Sequence, residues 1–181
     1  MRIVIGGTGG QGILTLGKVI SYACINRDLD VSCFPVYGAE MRGGYVHCIL
    51  TISNAENILS PISSECDVGI FMEETSFNIL SSYLKNEGII INNSSLIKNN
   101  NKGSVYQFPA TEQAEKIGNS KVSNMFFAGL VIPFIKKFFN EFKKEDMFYG
   151  VDKVIKEQKM RKLSKEAIEI GFEYAIEKWK I

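Results

Sequence analysis

Arg2-Ile3-Val4-Ile5-Gly6-Gly7-Thr8-Gly9-Gly10-Gln11-Gly12 runs straight into Ile13-Leu14-Thr15-Leu16-Gly17-Lys18-Val19-Ile20. The pattern predicts a strand over residues 2 to 5, a glycine loop over 6 to 12, and a helix from Gln11 to about Asn26. Such a succession is anion-binding architecture. Glycines allow positive φ and close backbone approach, while the free N–H groups and partial positive charge of the helix start attract phosphate or carboxylate.

Outward from this opening, strand and helix signals alternate. Val31 to Val36 reads as a strand, with Pro35 placing it at a sheet edge or strand end. Tyr45 to Ile52 and Asp67 to Met72 follow as strands, then a helix over Ser76 to Leu84. Gly88 to Asn92 and Ser104 to Phe108 are further strands. Helices are expected over Ala110 to Ile117, Val122 to Phe139 (kinked or divided by Pro133), Asp146 to Lys159 and Ser164 to Trp179. Asn92-Asn93-Ser94-Ser95 and Asn99-Asn100-Asn101-Lys102 are surface turns by composition. The alternation predicts an α/β sandwich with a largely parallel sheet and helices on both faces. The close succession of the second and third strands adds some antiparallel pairing. One domain, 1–181, is expected, with residues from about 140 to 181 helical and either part of the same core or a subunit-docking arm.

Composition fits one ordinary globular domain: 181 residues, 45% hydrophobic and 23% charged. The formal net charge is +1, with both signs scattered, which is not the footprint of a nucleic-acid binder. The opening apolar run is too short for a signal h-region, and no stretch approaches a membrane span, so a cytoplasmic protein is expected. Cys24, Cys33, Cys48 and Cys66 form no Cys-x-x-Cys pair and read as reduced core thiols. The single histidine, His47, lies inside a strand pattern without neighbouring ligands. No metal site, Ser/His/Asp arrangement or Cys/His pair is expected, so the chain reads as one that binds rather than one that performs chemistry alone.

Gly7-Thr8-Gly9-Gly10-Gln11-Gly12 satisfies G-x-G-x-x-G, which raises a nicotinamide site. The acid expected at the end of the second strand is missing there. Asp28 and Asp30 precede that strand, and Glu40 lies in the loop beyond. Gly12 to Lys18 resembles the start of a Walker motif, yet Val19 stands where a magnesium-binding hydroxyl is needed, and a buried helix face is the plainer reading. More distinctive is Tyr37-Gly38-Ala39-Glu40-Met41-Arg42-Gly43-Gly44, an acid and a base in a small flexible loop after a strand. Arg42 suits a phosphate or carboxylate and Glu40 could orient it; a Glu40–Arg42 contact that only shapes the turn is the alternative.

Together, residues 6 to 12 and 37 to 44 closely resemble the gamma subunit of the 2-oxoacid:ferredoxin (acceptor) oxidoreductases. The similarity continues through Ser60-Pro61-Ile62, the Asp67 strand, Gly88 to Ser94, Phe108 to Thr111, Ala114 to Gly118, Asn124-Met125 and Gly129, covering about residues 2 to 132. It implies a Rossmann-like three-layer domain that works with separate alpha and beta subunits. Those subunits would hold thiamine diphosphate and magnesium, with iron–sulfur clusters also elsewhere in the complex. A small ferredoxin-like delta subunit is a further implied partner, and an isolated chain with an uncovered partner surface would be open to homodimer formation. The implied reaction decarboxylates a 2-oxoacid, passes electrons to ferredoxin or another acceptor and makes an acyl-coenzyme A.

The same resemblance places coenzyme A phosphates near Gly7, Thr8, Gly9, Gly10, Gln11 and Gly12 and near Tyr37, Gly38, Glu40, Met41, Arg42, Gly43 and Gly44, with no catalytic residue on this chain. Glu40 to Gly44 followed by Cys48 looks more like 2-oxoglutarate than indolepyruvate subunits, and branched-chain 2-oxoacid and pyruvate enzymes are close. In the C-terminal third, relatives carry an Asn where this chain has Ser164. The competing readings are a free-standing nicotinamide oxidoreductase and a scaffold whose glycine loops only pack against partners.

Overall fold

A computed structural model describes residues 1–38, 44–54, 65–98 and 104–181. Six strands, β1 (Arg2–Thr8), β2 (Asp30–Tyr37), β3 (Tyr45–Ser53), β4 (Cys66–Phe71), β5 (Leu84–Asn93) and β6 (Ser104–Phe108), form one sheet in the order β2-β3-β1-β4-β5-β6. β1 pairs in parallel with β4, β4 with β5 and β5 with β6, whereas β3 is antiparallel to both β1 and β2. Five strands therefore share one direction and β3 alone is reversed. Pro35 lies on an edge strand, where its missing N–H costs least.

Both sheet faces are covered, unequally. Ile3 and Ile5 of β1, with Cys48 and Leu50 of β3, point into the main core. There they meet α1 (Ile13–Ile25), α3 (Ala110–Lys116), α4 (Ser123–Leu130), α5 (Ile132–Phe138), α6 (Lys144–Val154) and α7 (Gln158–Trp179). Val4, Ile49 and Ile90 point the other way, onto Phe77 and Leu80 of α2 (Glu74–Leu80). Pro133 falls in the first turn of α5 and the chain divides at Val131, as its missing donor predicts.

The last helices pack into this core. Ala167, Ile168 and Ala175 of α7 are fully buried, and α6 is tied to the end of α1 by the buried Asp146 carboxylate. That group accepts hydrogen bonds from Asn26 Nδ2 (2.9 Å), Arg27 Nε (2.8 Å) and the Lys143 N–H (2.7 Å).

Three expectations are corrected. β1 extends through Gly6, Gly7 and Thr8, because β3 continues to pair with it as far as Thr8↔Tyr45; the glycine loop is only Gly9 to Gly12. α7 starts at Gln158, not Ser164, and is one helix of 22 residues. Asn92 and Asn93 are buried, not a surface turn. Asn93 Nδ2 donates to Met72 O (3.1 Å) and Thr111 Oγ1 (3.0 Å), while its Oδ1 accepts from Ala110 N (3.1 Å), so this amide splices β4, β5 and the start of α3. The other proposed turn, 99–102, lies outside the described residues.

Candidate functional site: the glycine-loop pocket

The short loop after β1 is held by its own polar groups. Gln11 Oε1 accepts from Thr8 N (2.9 Å), Gln11 N donates to Thr8 O (3.1 Å) and Gly9 N donates to Gly44 O (2.8 Å). That last bond joins the two glycine clusters. Across the sheet, Gly7, Val46 and Tyr37 stand side by side on β1, β3 and β2, so both clusters open at the same end of the sheet. Gly38 N closes the neck of the second cluster on Tyr45 O (2.8 Å). Ligand sites in open α/β sheets lie at the carboxyl ends of the parallel strands, and this is that end.

Gly12 caps α1 in the left-handed region (φ 72°) with no side-chain cap, and the first turn of α1 carries no acidic residue. The leading N–H groups of α1 thus lack a side-chain partner and carry the positive end of the helix dipole. In front of them lies a pocket of about 310 Å³, bordered by Thr8, Gly9, Gly10 and Gly12 of the loop, Ile13, Leu14 and Thr15 of α1, and Tyr37 and Val46 of the strands. Tyr37 is 64% exposed. The combination suits a phosphate on the loop and an apolar or aromatic group against the wall.

The predicted site residues divide accordingly. Thr8, Gly9, Gly10, Gly12 and Tyr37 line the pocket; Gln11, Gly38 and Gly44 brace it. Gly7 is buried in β1, where a Cβ would sit 2.5 Å from Gln11 Oε1 and 2.6 Å from Ile13 Cδ1, so it serves packing. Glu40, Met41, Arg42 and Gly43 lie outside the described residues. No local pattern places Val46 or Asn124 at this pocket; Asn124 Nδ2 donates to Gly12 O (2.9 Å) from 112 residues away.

The nicotinamide reading loses its geometry. β3 separates β2 from β1, and the end of β2 near the loop carries Tyr37, with Asp30 at the opposite end. The Walker reading fails as well, since Gly17 is buried and a Cβ there would sit 2.8 Å from Cys48 Sγ and 3.6 Å from Cys33 Sγ. Among the described residues no group of His, Cys, Asp or Glu could hold a metal ion, and no helix is long and apolar enough to cross a membrane.

All four cysteines are free thiols, but they are not alike. Hydrogen bonding to Cys48 brings the Cys33 thiol down to about 7 against the opposing effect of burial, with Ser21 and Lys18 helping. Burial pushes Cys24 up to about 12 and Cys66 up to about 11, and hydrogen bonding to Cys33 raises Cys48. Since the thiolate is the nucleophile, its reactive fraction grows as pH rises through the pKa. Iodoacetamide labelling of the folded chain is therefore expected at Cys33, half-maximal near pH 7, with the other three spared. Peptide mass spectrometry checks this; equal labelling of Cys33 and Cys66 at pH 7.5 would refute it.

Residues 2–174 match the family described as Pyruvate ferredoxin/flavodoxin oxidoreductase. The ketoisovalerate oxidoreductase subunit VorA of Methanothermobacter thermautotrophicus is 31% identical over 134 residues, which is 73% of this chain and 28% of that relative; this chain thus spans under a third of its length. The pyruvate synthase subunit PorC of Methanosarcina barkeri is 30% identical over 134 residues, 71% of this chain and 74% of PorC. Among solved structures, the 2-oxoglutarate:ferredoxin oxidoreductase of Magnetococcus marinus with 2-oxoglutarate, coenzyme A and succinyl-CoA bound superposes with a TM-score of 0.82 at 19% identity. The overlap covers 97% of this chain and 31% of that one, and shows a shared fold. With the strand–glycine loop–helix site built as described and the family matched over nearly its whole length, the chain belongs to the pyruvate ferredoxin/flavodoxin oxidoreductase family.

Proposed function

We propose that this chain is the gamma-type subunit of a 2-oxoglutarate:acceptor oxidoreductase and supplies the site for the phosphates of coenzyme A. The observation that carries the reading is the junction of the two glycine clusters, Gly9 N to Gly44 O, at the mouth of a pocket fronted by the uncapped start of α1. Coenzyme A is a polyanion with an adenine and an amide-bearing arm that ends in a thiol. Backbone N–H groups suit its phosphates, and Tyr37 with Val46 suits a flat or apolar part. Arg42, in the second cluster, is the residue we propose as the charge-assisted partner of a phosphate oxygen.

Among the described residues no group of His, Cys, Asp or Glu could hold a magnesium ion or a metal cluster. In the proposed complex thiamine diphosphate, its magnesium and the iron–sulfur clusters belong to the alpha and beta subunits and a ferredoxin-like partner, and this chain binds and orients the acyl acceptor. 2-Oxoglutarate is chosen on the Glu40-Met41-Arg42-Gly43-Gly44 sequence. VorA and PorC are named as subunits of a ketoisovalerate oxidoreductase and a pyruvate synthase, so the test compares all three acids.

Affinity capture of the chain from its native extract should recover the partners and coenzyme A-dependent viologen reduction, fastest with 2-oxoglutarate. In the assembled complex, Arg42→Ala should raise the KM for coenzyme A about 10-fold or more, with assembly and the KM for the 2-oxoacid unchanged. Loss of assembly with an unchanged coenzyme A KM in the residual complex would favour the scaffold role instead.

A further inference from the structure

We infer that Asn124 is a positioning residue for coenzyme A, acting through Gly12 without touching the ligand; this rests on the reading that the glycine-loop pocket is the coenzyme A site. Asn124 lies in the first turn of α4, is 3% exposed and does not border the pocket. Its Nδ2 donates to Gly12 O at 2.9 Å, alongside the ordinary helical bond from Leu16 N at 2.9 Å. The carbonyl of Gly12 and the N–H of Ile13 belong to one planar trans peptide and point in opposite directions. Fixing the carbonyl toward α4 therefore fixes the Ile13 N–H, the leading donor of α1, toward the pocket.

Two further features say that this contact is specific. A Cβ on Gly12 would lie 2.3 Å from Asn124 Nδ2, so residue 12 and the amide interlock. Asn124 Oδ1 is buried without a hydrogen-bond partner among the described residues. A buried acceptor left unpaired is destabilising, and a tether chosen for stability alone would avoid it. The amide is also anchored from behind. Gly129 and Gly171 bring the α4 and α7 backbones together, with ideal Cβ positions 2.0 Å from Ile168 O and 2.2 Å from Phe126 O. α7 thereby holds α4, α4 holds Asn124, and Asn124 holds the loop.

The test uses the assembled complex carrying wild-type chain, Asn124→Ala, Asn124→Asp or Gly12→Ala. Expected for N124A is a KM for coenzyme A raised about 5-fold, with kcat at saturating coenzyme A and the KM for 2-oxoglutarate within about 2-fold of wild type. Asn124→Asp replaces the donor by an anion facing the carbonyl and the phosphates, and should exceed a 10-fold rise or so. If N124A fails to assemble, Asn124→Ser, which keeps a shorter-reaching donor, carries the same comparison with a smaller rise. An unchanged coenzyme A KM in N124A and N124D beside a raised one in G12A would overturn the role of Asn124 alone. An unchanged KM in all of them, G12A included, would overturn the coenzyme A site itself. Equal losses in kcat and in both KM values would mark a merely structural residue.

Discussion

Gly129→Ala is expected to destabilise the folded chain by about 3 kcal/mol and to lower the Tm by roughly 6–12 °C. The Cβ would stand 2.0 Å from Ile168 O and 2.7 Å from Phe172 N, both backbone atoms of α7. A flexible side chain could swing aside from such a contact; a helix backbone cannot. α4 is buried from Asn124 to Leu130, so it has no free side toward which to retreat. The two helices must separate, and separation opens space beside Phe126, Phe127, Ala167 and Ile168, all fully buried now. Both the collision and the lost packing act in one direction. Thermal unfolding followed by circular dichroism reads the effect, and a shift below about 2 °C would mean that the crossing is looser than described.

That crossing also shows what the sequence conceals. Ala167, Ile168, Gly171 and Ala175 lie along one side of α7, but the segment that begins this helix, Gln158-Lys159-Met160-Arg161-Lys162-Leu163, is mostly charged and polar, so the helical pattern breaks off at Lys159 and resumes only at Ser164. The strands were legible where periodicity is local: Val31 to Val36, Asp67 to Met72 and Ser104 to Phe108 appear within a residue or two of expectation. Gly6 and Gly7 read as loop because glycine weakens a strand. Pairing with His47 and Val46 of β3 overrides that propensity. Asn92 and Asn93 misled in the same way, since composition records that Asn favours turns but not that Met72, Ala110 and Thr111 would satisfy a buried one.

The site was half legible. The pairing of a glycine loop with a helix start follows from spacing alone, and the second cluster announced itself by its residue types. Which parts meet did not follow. The bond from Gly9 to Gly44 depends on β3 returning beside β1, and the bond from Asn124 to Gly12 depends on α4 lying under the loop. Contacts across 35 and 112 residues carry no local periodicity.

Gly12→Ala is expected to cost the most at the site: about 2–3 kcal/mol of stability, and a rise of about 30-fold or more in the KM for coenzyme A. Two independent penalties meet there. At φ 72° the backbone is in the left-handed region, which disfavours any residue with a Cβ by roughly 1–2 kcal/mol. The new methyl would also stand 2.3 Å from Asn124 Nδ2, so the amide must leave Gly12 O. The chain can relieve the first penalty by letting residue 12 turn helical, but that lengthens α1 by one residue and swings its leading N–H groups off the pocket. Either route spoils the proposed anion site. Gly10 gives the contrast: its φ is 98°, yet a Cβ there meets nothing within 4 Å. Gly10→Ala therefore carries only backbone strain and should raise the coenzyme A KM far less. Calorimetric titration of coenzyme A into the two assembled variants, beside their thermal unfolding, separates the terms. If G10A and G12A prove equally harmful to binding, backbone strain alone governs the loop and the grip of Asn124 on Gly12 contributes nothing.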